Sequence, residues 1–204
     1  MEIPLEDFFK AYYDCRKHKR GTFNALQFET NYEENLVKLY EEVNSRTYEI
    51  GKSICFLVTR PKLREVFAAD FRDRIIHHLI MQRLEPLFEA NFIQDTYNCR
   101  KEKGVLYGVK RVYQMIKECS NNYTKDCYIG KFDMQGFFMT IDKTILLKKL
   151  YNFIDKYYRG DDVDLLIYLI NKVVSNKPQN NCIVKGDINQ WKLLPKNKSL
   201  FTCD

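Results

Sequence analysis

The chain has 204 residues, 45% of them hydrophobic and 14% aromatic, which is enough to build one large domain or two small lobes around a real core. Its net charge of +6 suits a polyanionic partner without requiring one. The seven cysteines stand singly with no Cys-x-x-Cys pair, so the composition speaks against a zinc ribbon or a disulfide framework and for reduced thiols in a cytoplasmic protein. No signal peptide is visible near Glu2, Glu6 and Asp7, and no apolar run approaches membrane-spanning length, so no membrane partner is expected.

Residues 4–17 predict a first helix, with Leu5, Phe8, Phe9, Tyr12 and Tyr13 on its apolar side. It ends in the basic run Arg16-Lys17-His18-Lys19-Arg20. Such a run reads equally as a solvated face or as a phosphate contact. Residues 31–45 predict a second amphipathic helix on Tyr32, Leu36, Leu39, Tyr40 and Val43. Two strand-type runs follow, Ser53 to Val58 and Arg64 to Ala69, with Pro61 at the tip of the hairpin they would form. The tip carries Arg60, Lys62 and Arg64, either a soluble charged turn or a clamp for a triphosphate.

Asp70 opens a long helix reaching about Phe88, in which Pro86 predicts a kink or an early end. His77 and His78 are adjacent and so point different ways, as structural or surface residues rather than metal ligands. Arg100, Lys101 and Lys103 stand just before a further helix that starts after Gly104, a candidate anion site. Cys127-Tyr128-Ile129-Gly130 is a short strand-type run that leads into Lys131-Phe132-Asp133-Met134-Gln135-Gly136-Phe137-Phe138, and Asp133 would thus end a strand. A carboxylate there either caps the next turn or faces a cation. Helices are predicted from about Lys143 to Tyr157 and from about Val163 to Ser175; Asp161, Asp162 and Asp164 between and within them read as ordinary helix-dipole partners. The tail from Asn176 is polar.

Asp133-Met134-Gln135-Gly136-Phe137-Phe138 with Ile141 resembles the first catalytic block of the palm of retron-type reverse transcriptases, the group that includes the enzymes of diversity-generating retroelements. Pro61-Lys62-Leu63-Arg64 and Ala68-Ala69-Asp70-Phe71-Arg72-Asp73-Arg74-Ile75-Ile76-His77-His78 are similar to that family's fingers region. Tyr97 to Gly104 is similar to the next block, with Glu102 standing where the family usually has a glycine. Trp191 to Pro195 and Lys198 to Phe201 resemble the segment before the family's next palm block. The blocks occur in family order over nearly the whole chain.

The resemblance implies an α+β fold: helical fingers with a small antiparallel β-hairpin over residues 1–120, joined to part of a polymerase palm sheet over residues 121–204. It implies RNA-directed DNA polymerisation with an RNA template, a DNA primer or product, a dNTP and an accessory protein as partners. Asp133 and the Met134 backbone carbonyl would bind magnesium, two ions in the complete enzyme. Lys62 and Arg64 would hold the nucleotide's phosphates, and Phe138 would lie under its sugar. Arg16, Lys17, Lys19, Arg20, Arg60, Arg100, Lys101 and Lys103 would contact nucleic acid. No Tyr-x-Asp-Asp sequence occurs in the 204 residues. The chain alone is therefore expected to lack activity, and a non-catalytic RNA-binding or protein-interaction module is the alternative.

Overall fold

A computed structural model describes residues 1–17, 21–97, 99–134, 136–195 and 198–201, with Phe138 described by its backbone alone. The fold is mixed α and β. In chain order the elements are α1 (Leu5–Arg16), α2 (Phe23–Glu29), α3 (Tyr32–Asn44), β1 (Ser53–Val58), β2 (Arg64–Ala68), α4 (Phe71–Asn91), α5 (Val105–Cys119), α6 (Phe137–Thr140), α7 (Lys143–Tyr157), α8 (Val163–Ser175), β3 (Cys182–Val184) and α9 (Ile188–Trp191). Two compact units result: Met1–Arg83 with Gly136–Asp204, and Leu84–Gln135. The first draws on both the expected fingers and the expected palm segments.

The core of the first unit is built from the apolar faces of α1, α3, α4 and α8. Phe8, Leu36, Leu39, Ile75, Ile76, Leu79, Leu166 and Leu169 are all buried in it. Their spacing of three and four residues is the periodicity that marks these helices in the sequence. Beside them lies the sheet, in the order β2-β1-β3. β1 and β2 form the expected antiparallel hairpin, with Cys55 opposite Phe67 and Val58 opposite Arg64. β3 adds in parallel, with Ser53 opposite Cys182. Burial on this strand pushes the Cys55 thiol up to about 12.

The crossing from α3 into β1 is fixed by a buried carboxylate on α4. Asp73 accepts hydrogen bonds from the Tyr48 hydroxyl at 2.6 Å and from the Gly51 amide at 3.0 Å. A Cβ on Gly51 would stand 3.3 Å from Asp73 Oδ2, so the residue without a side chain lets the backbone come this close. The Tyr168 hydroxyl is shared between the carbonyls of Arg46 and Tyr48, which ties α8 to the same crossing. Burial raises the pKa of Asp73, and burial together with the Asp73 charge raises that of Tyr48.

A second polar centre joins α1, α4 and α8. Arg83 donates to Asp162 at 2.6 Å and to Asp7 at 3.0 Å, and Tyr158 donates to Asp162 at 2.5 Å. Burial pushes the Asp162 pKa up, but the hydrogen bonds from Tyr158 and Arg83 and the guanidinium charge outweigh it and hold it below the usual range. Asp162, alone of the three neighbouring acids in having such a partner among the described residues, is thus the counter-ion of a buried arginine.

In the second unit Asp95 accepts from Arg111 and Tyr97, and Arg111 with Tyr97 brings its carboxyl down to about 2. α5 buries none of its residues; Val105, Leu106, Val109 and Tyr113 are all more than half exposed. Two expectations need correction. The segment Cys127 to Asp133 is not a strand: among the described residues no helix or strand is formed between α5 and α6. A strand is held by its ladder, and these residues have no paired neighbour among the described ones. α4 also runs through Pro86 to Asn91. Pro86 lies on the exposed side of the helix, where water can satisfy the carbonyl that loses its N–H partner.

No helix among the described residues is long and apolar enough to cross a membrane. Two stability measurements follow from the polar centres. Tyr48→Phe should cost about 1–3 kcal/mol in chemical denaturation, because it leaves a buried carboxylate short of a donor; an unchanged midpoint would show that the 2.6 Å contact contributes nothing. Asp162 has a depressed folded pKa, so its stabilisation is present above the unfolded carboxylate value of about 4 and is lost as pH falls through the folded value. Melting curves of wild type and Asp162→Asn should therefore differ at pH 7 and converge as pH falls below the unfolded carboxylate value of about 4. A gap that stays constant with pH would contradict the ionic role.

Candidate functional site

The hairpin presents its cations to solvent. Arg60, Lys62 and Arg64 are exposed and have no ion pair among the described residues. The turn itself cannot anchor them, so the anchoring is done lower down. Glu65, the next residue along β2, accepts from the Ser199 hydroxyl at 3.0 Å and the Leu200 amide at 2.8 Å. Phe67 lies 5.7 Å from the ring of Phe201. The alternation of β2 sends Glu65 and Phe67 to the anchored face and Arg64 to the other. Three positive charges thus stand on a stem fixed at its base, free to meet an anion.

Behind the hairpin, and within the same unit, is a cavity of about 780 Å³. Phe67 and Ala69 from β2 and its end, His77 from α4, Met139 from α6 and Lys143 from α7 line it, along with Phe201. Burial lowers the pKa of His77, with the neighbouring His78 and Arg74 charges adding to it. Lys143 donates to the Asn176 carbonyl at 2.5 Å, and burial followed by the Lys177 charge lowers its pKa. Asp73, Asn176, Lys177 and Gln179 line it too, so its wall is mixed polar and apolar and carries charges of both signs. Sequence reading missed Lys143, whose only local signal is its place directly after the helix-capping Asp142.

The block that carries the family resemblance forms a turn rather than a strand end. Gly136 has φ +65° and caps the single turn of α6, where the amides of Met139 and Thr140 reach its carbonyl at 2.8 and 3.0 Å. Only glycine takes that backbone conformation readily. Asp142 then caps α7 through the amides of Thr144 and Ile145. Asp133 is exposed and makes no hydrogen bond or ion pair among the described residues; Tyr128 and Phe132 before it are 92% and 95% exposed, and Met134 after it is exposed as well. The side chain of Phe138 lies outside the described residues.

The remaining basic residues are mostly engaged. Arg16 donates to Glu29 on α2 at 2.6 Å, and Lys17 to Asp14 at 2.7 Å. Lys19 and Arg20 lie outside the described residues. Arg100 donates to both oxygens of Glu89 and to the carbonyls of Ile93 and Thr96, and its guanidinium lies 5.3 Å from the Phe92 ring. Its work is to hold the 92–100 loop. Lys103 donates to the Gln94 carbonyl at 2.8 Å. Lys101 is exposed. Glu102, where the resembling family has glycine, has φ +62°, a left-handed conformation that favours glycine. No group of three or more His, Cys, Asp or Glu able to hold a metal ion occurs among the described residues.

No family model matches the chain. Over 124 residues it is 25% identical to Protein YkfC of Escherichia coli (strain K12). That similarity covers 61% of this chain and 30% of the length of YkfC.

Two substitutions test the local reading of the second unit. Glu102→Gly should stabilise it by about 1 kcal/mol by relieving the left-handed backbone. Arg100→Ala should speed amide exchange across residues 92–104, while Lys101→Ala should not; equal exchange in both would show that the Arg100 contacts hold nothing.

Proposed function

We propose that this chain is the fingers and part of the palm of an RNA-directed DNA polymerase that copies an RNA template onto a DNA primer from dNTPs. The observation that carries the reading is the hairpin tip: Arg60, Lys62 and Arg64 stand exposed and without ion pairs on an anchored stem. Lys62 supplies a mobile point charge and Arg64 a planar fork, a combination that matches a triphosphate. The order of the polymerase-like blocks along the chain supports the same assignment, as does the cavity of about 780 Å³ behind the hairpin. An accessory protein completes the proposed set of partners.

Two magnesium ions would need several carboxylates held close together. The described residues offer Asp133 alone in this block, exposed and unaccompanied, with the Met134 carbonyl beside it in sequence. These residues by themselves do not fit a metal pair, and no catalytic step is derived through one. That lone carboxylate favours a second reading, a non-catalytic RNA-binding or protein-interaction module that uses the same basic hairpin.

Primer extension separates the two. The 204-residue chain alone should give no extension with magnesium or manganese. In a longer protein in which a Tyr-x-Asp-Asp block follows it, extension should appear. There Asp133→Asn should abolish it, and Arg64→Ala should raise the dNTP concentration needed by about tenfold or more. Near-normal extension by Asp133→Asn would show that the catalytic carboxylate lies elsewhere, and no extension by any longer form would favour the binding module.

A further inference from the structure

Cys119, the last residue of α5, and Cys127 beyond it both belong to the second unit. Both are free thiols, Cys119 exposed and Cys127 half-buried. The chain between them is a closed turn. The Ser120 amide donates to the Ile116 carbonyl at 2.9 Å, and the Asn122 amide reaches back to the Lys117 carbonyl at 2.8 Å. Asn121, Asn122 and Tyr123 then stand in the left-handed region, with φ of 48°, 57° and 67°. Three such residues in a row, none of them glycine, are unfavourable unless their surroundings hold them. Ser120 does so. It is 3% exposed, its hydroxyl accepts from the Tyr123 amide at 2.9 Å, and its carbonyl accepts from the amides of Thr124 and Lys125, both at 2.9 Å. The Tyr123 ring lies 6.4 Å from that of Tyr113, which lays the turn back along α5.

The reversal returns Cys127 to the end of the helix, where its thiol shares a hydrogen bond with that of Cys119. Two thiols in such contact need only side-chain rotation and a small shift to bond. Cys127 lies in a stretch without helix or strand among the described residues, so the shift breaks no ladder and no helical turn. Cys55 and Cys182 differ. They lie on paired strands but out of register, since Cys182 stands opposite Ser53 and Cys55 opposite Val184, and Cys55 is buried. A buried thiol is inert toward reagents in solution.

We propose that Cys119 and Cys127 are a dithiol that closes reversibly to a disulfide by exchange with a small-molecule disulfide such as oxidised glutathione. Cys119, the exposed member, takes the first step. Its thiolate attacks one sulfur of the small disulfide, and the other sulfur leaves as a thiolate that picks up a proton. The Cys127 thiolate then attacks the Cys119 sulfur of the mixed disulfide and displaces the second small thiolate, which is protonated in turn. Together the cysteines lose two electrons and two protons, and one small disulfide becomes two thiols. The second step is intramolecular, so proximity favours it over attack by a thiol from solution. The closed bond ties the end of α5 to the stretch leading into Asp133. This chemistry is independent of the polymerase reading.

The whole chain, equilibrated in buffers of graded oxidised-to-reduced glutathione ratio, then acid-quenched, alkylated and mapped by mass spectrometry, tests this. Cys119 and Cys127 should escape alkylation together, joined in one cross-linked peptide, with the chain lighter by about 2 Da before alkylation. The native fold should favour the bond by about tenfold or more over the same chain in concentrated urea, because it holds the two thiols in contact. Cys127→Ser should instead accumulate a glutathione adduct on Cys119, and Cys99→Ser should keep the bond. The wild-type map decides by itself, whether or not a variant folds. Adducts on Cys119 and Cys127 with no internal bond at the most oxidising ratio would overturn the proposal. So would a bond from either to another cysteine, or an equilibrium no more favourable in the native chain than in urea. Primer extension is read separately and is unaffected by any of these outcomes.

Discussion

The buried Asp73 carboxylate is the constraint on which the first unit depends. It sits on α4, is 1% exposed, and receives one hydroxyl and one amide from the crossing that leads into β1. Burying a carboxylate is unfavourable, and the same burial raises the pKa of Asp73. The return is positional. With Tyr48 and Gly51 both bound to one side chain, β1 can leave α3 in only one direction, and the hairpin takes its place from β1. The cations at its tip, the cavity behind it and the Glu65 anchor all inherit that placement. The sign of the Asp73 shift also means that this carboxylate weakens the fold as pH rises through its folded value, opposite to Asp162.

Arg72 and Arg83 show how the same helix handles positive charge in two ways. Arg83, with a side chain 9% exposed, has a carboxylate on either side and donates from Nη1 to the Leu79 carbonyl. Breaking such a set would strand a buried charge, so its value is in joining α1, α4 and α8 in one arrangement. Arg72 is less completely satisfied: it has Glu42 and the Tyr48 ring, and an Nε left over. One arginine is closed on itself as structure. The other keeps one buried N–H without an acceptor among the described residues, so its hold on α3 through Glu42 is the less complete of the two.

Much of the helical framework is legible in the sequence because it is local. The spacing of Leu36, Leu39 and Val43 marks α3, and that of Leu165, Leu166 and Leu169 marks α8, since three- and four-residue periodicity needs no knowledge of the partner. The hairpin is legible for a similar reason: two strand-type runs and a proline turn lie within a few residues. What is not legible depends on distant chain. β3 is three residues long and pairs with β1 from far along the sequence. α2 is a seven-residue helix in which Phe23 and Leu26 are exposed while Ala25 is buried and Phe28 packs on Phe71, too short for a periodic stripe to stand out. The candidate site divides the same way. The hairpin cations can be read from their own neighbourhood, whereas the cavity behind them is assembled from β2, α4, α6, α7 and the tail, and no short motif announces it.

The segment around Asp133 shows the limit of local reading most sharply. Its residues have the composition of a buried strand, and its aspartate has the neighbours of a catalytic block. But strand propensity describes how well a residue fits a pleated, half-buried surface, and that surface must be supplied by other chain. Here Phe132 and Tyr128 project almost wholly into solvent, and the nearby α5 buries no residue. By contrast Gly136, Asp142 and their turns are formed, because a left-handed glycine and a helix cap need only their own neighbours. The local part of the block is in place and its non-local part is absent from the described residues. An aspartate so exposed is also near its most hydrated state. Binding a cation there competes with water, not with a desolvation penalty, so a single carboxylate gains little. A carboxylate becomes a strong metal ligand when a second one is held beside it and water is excluded, and both conditions are supplied by sheet pairing. The proposed polymerase reading therefore turns on whether another strand meets residues 127–133.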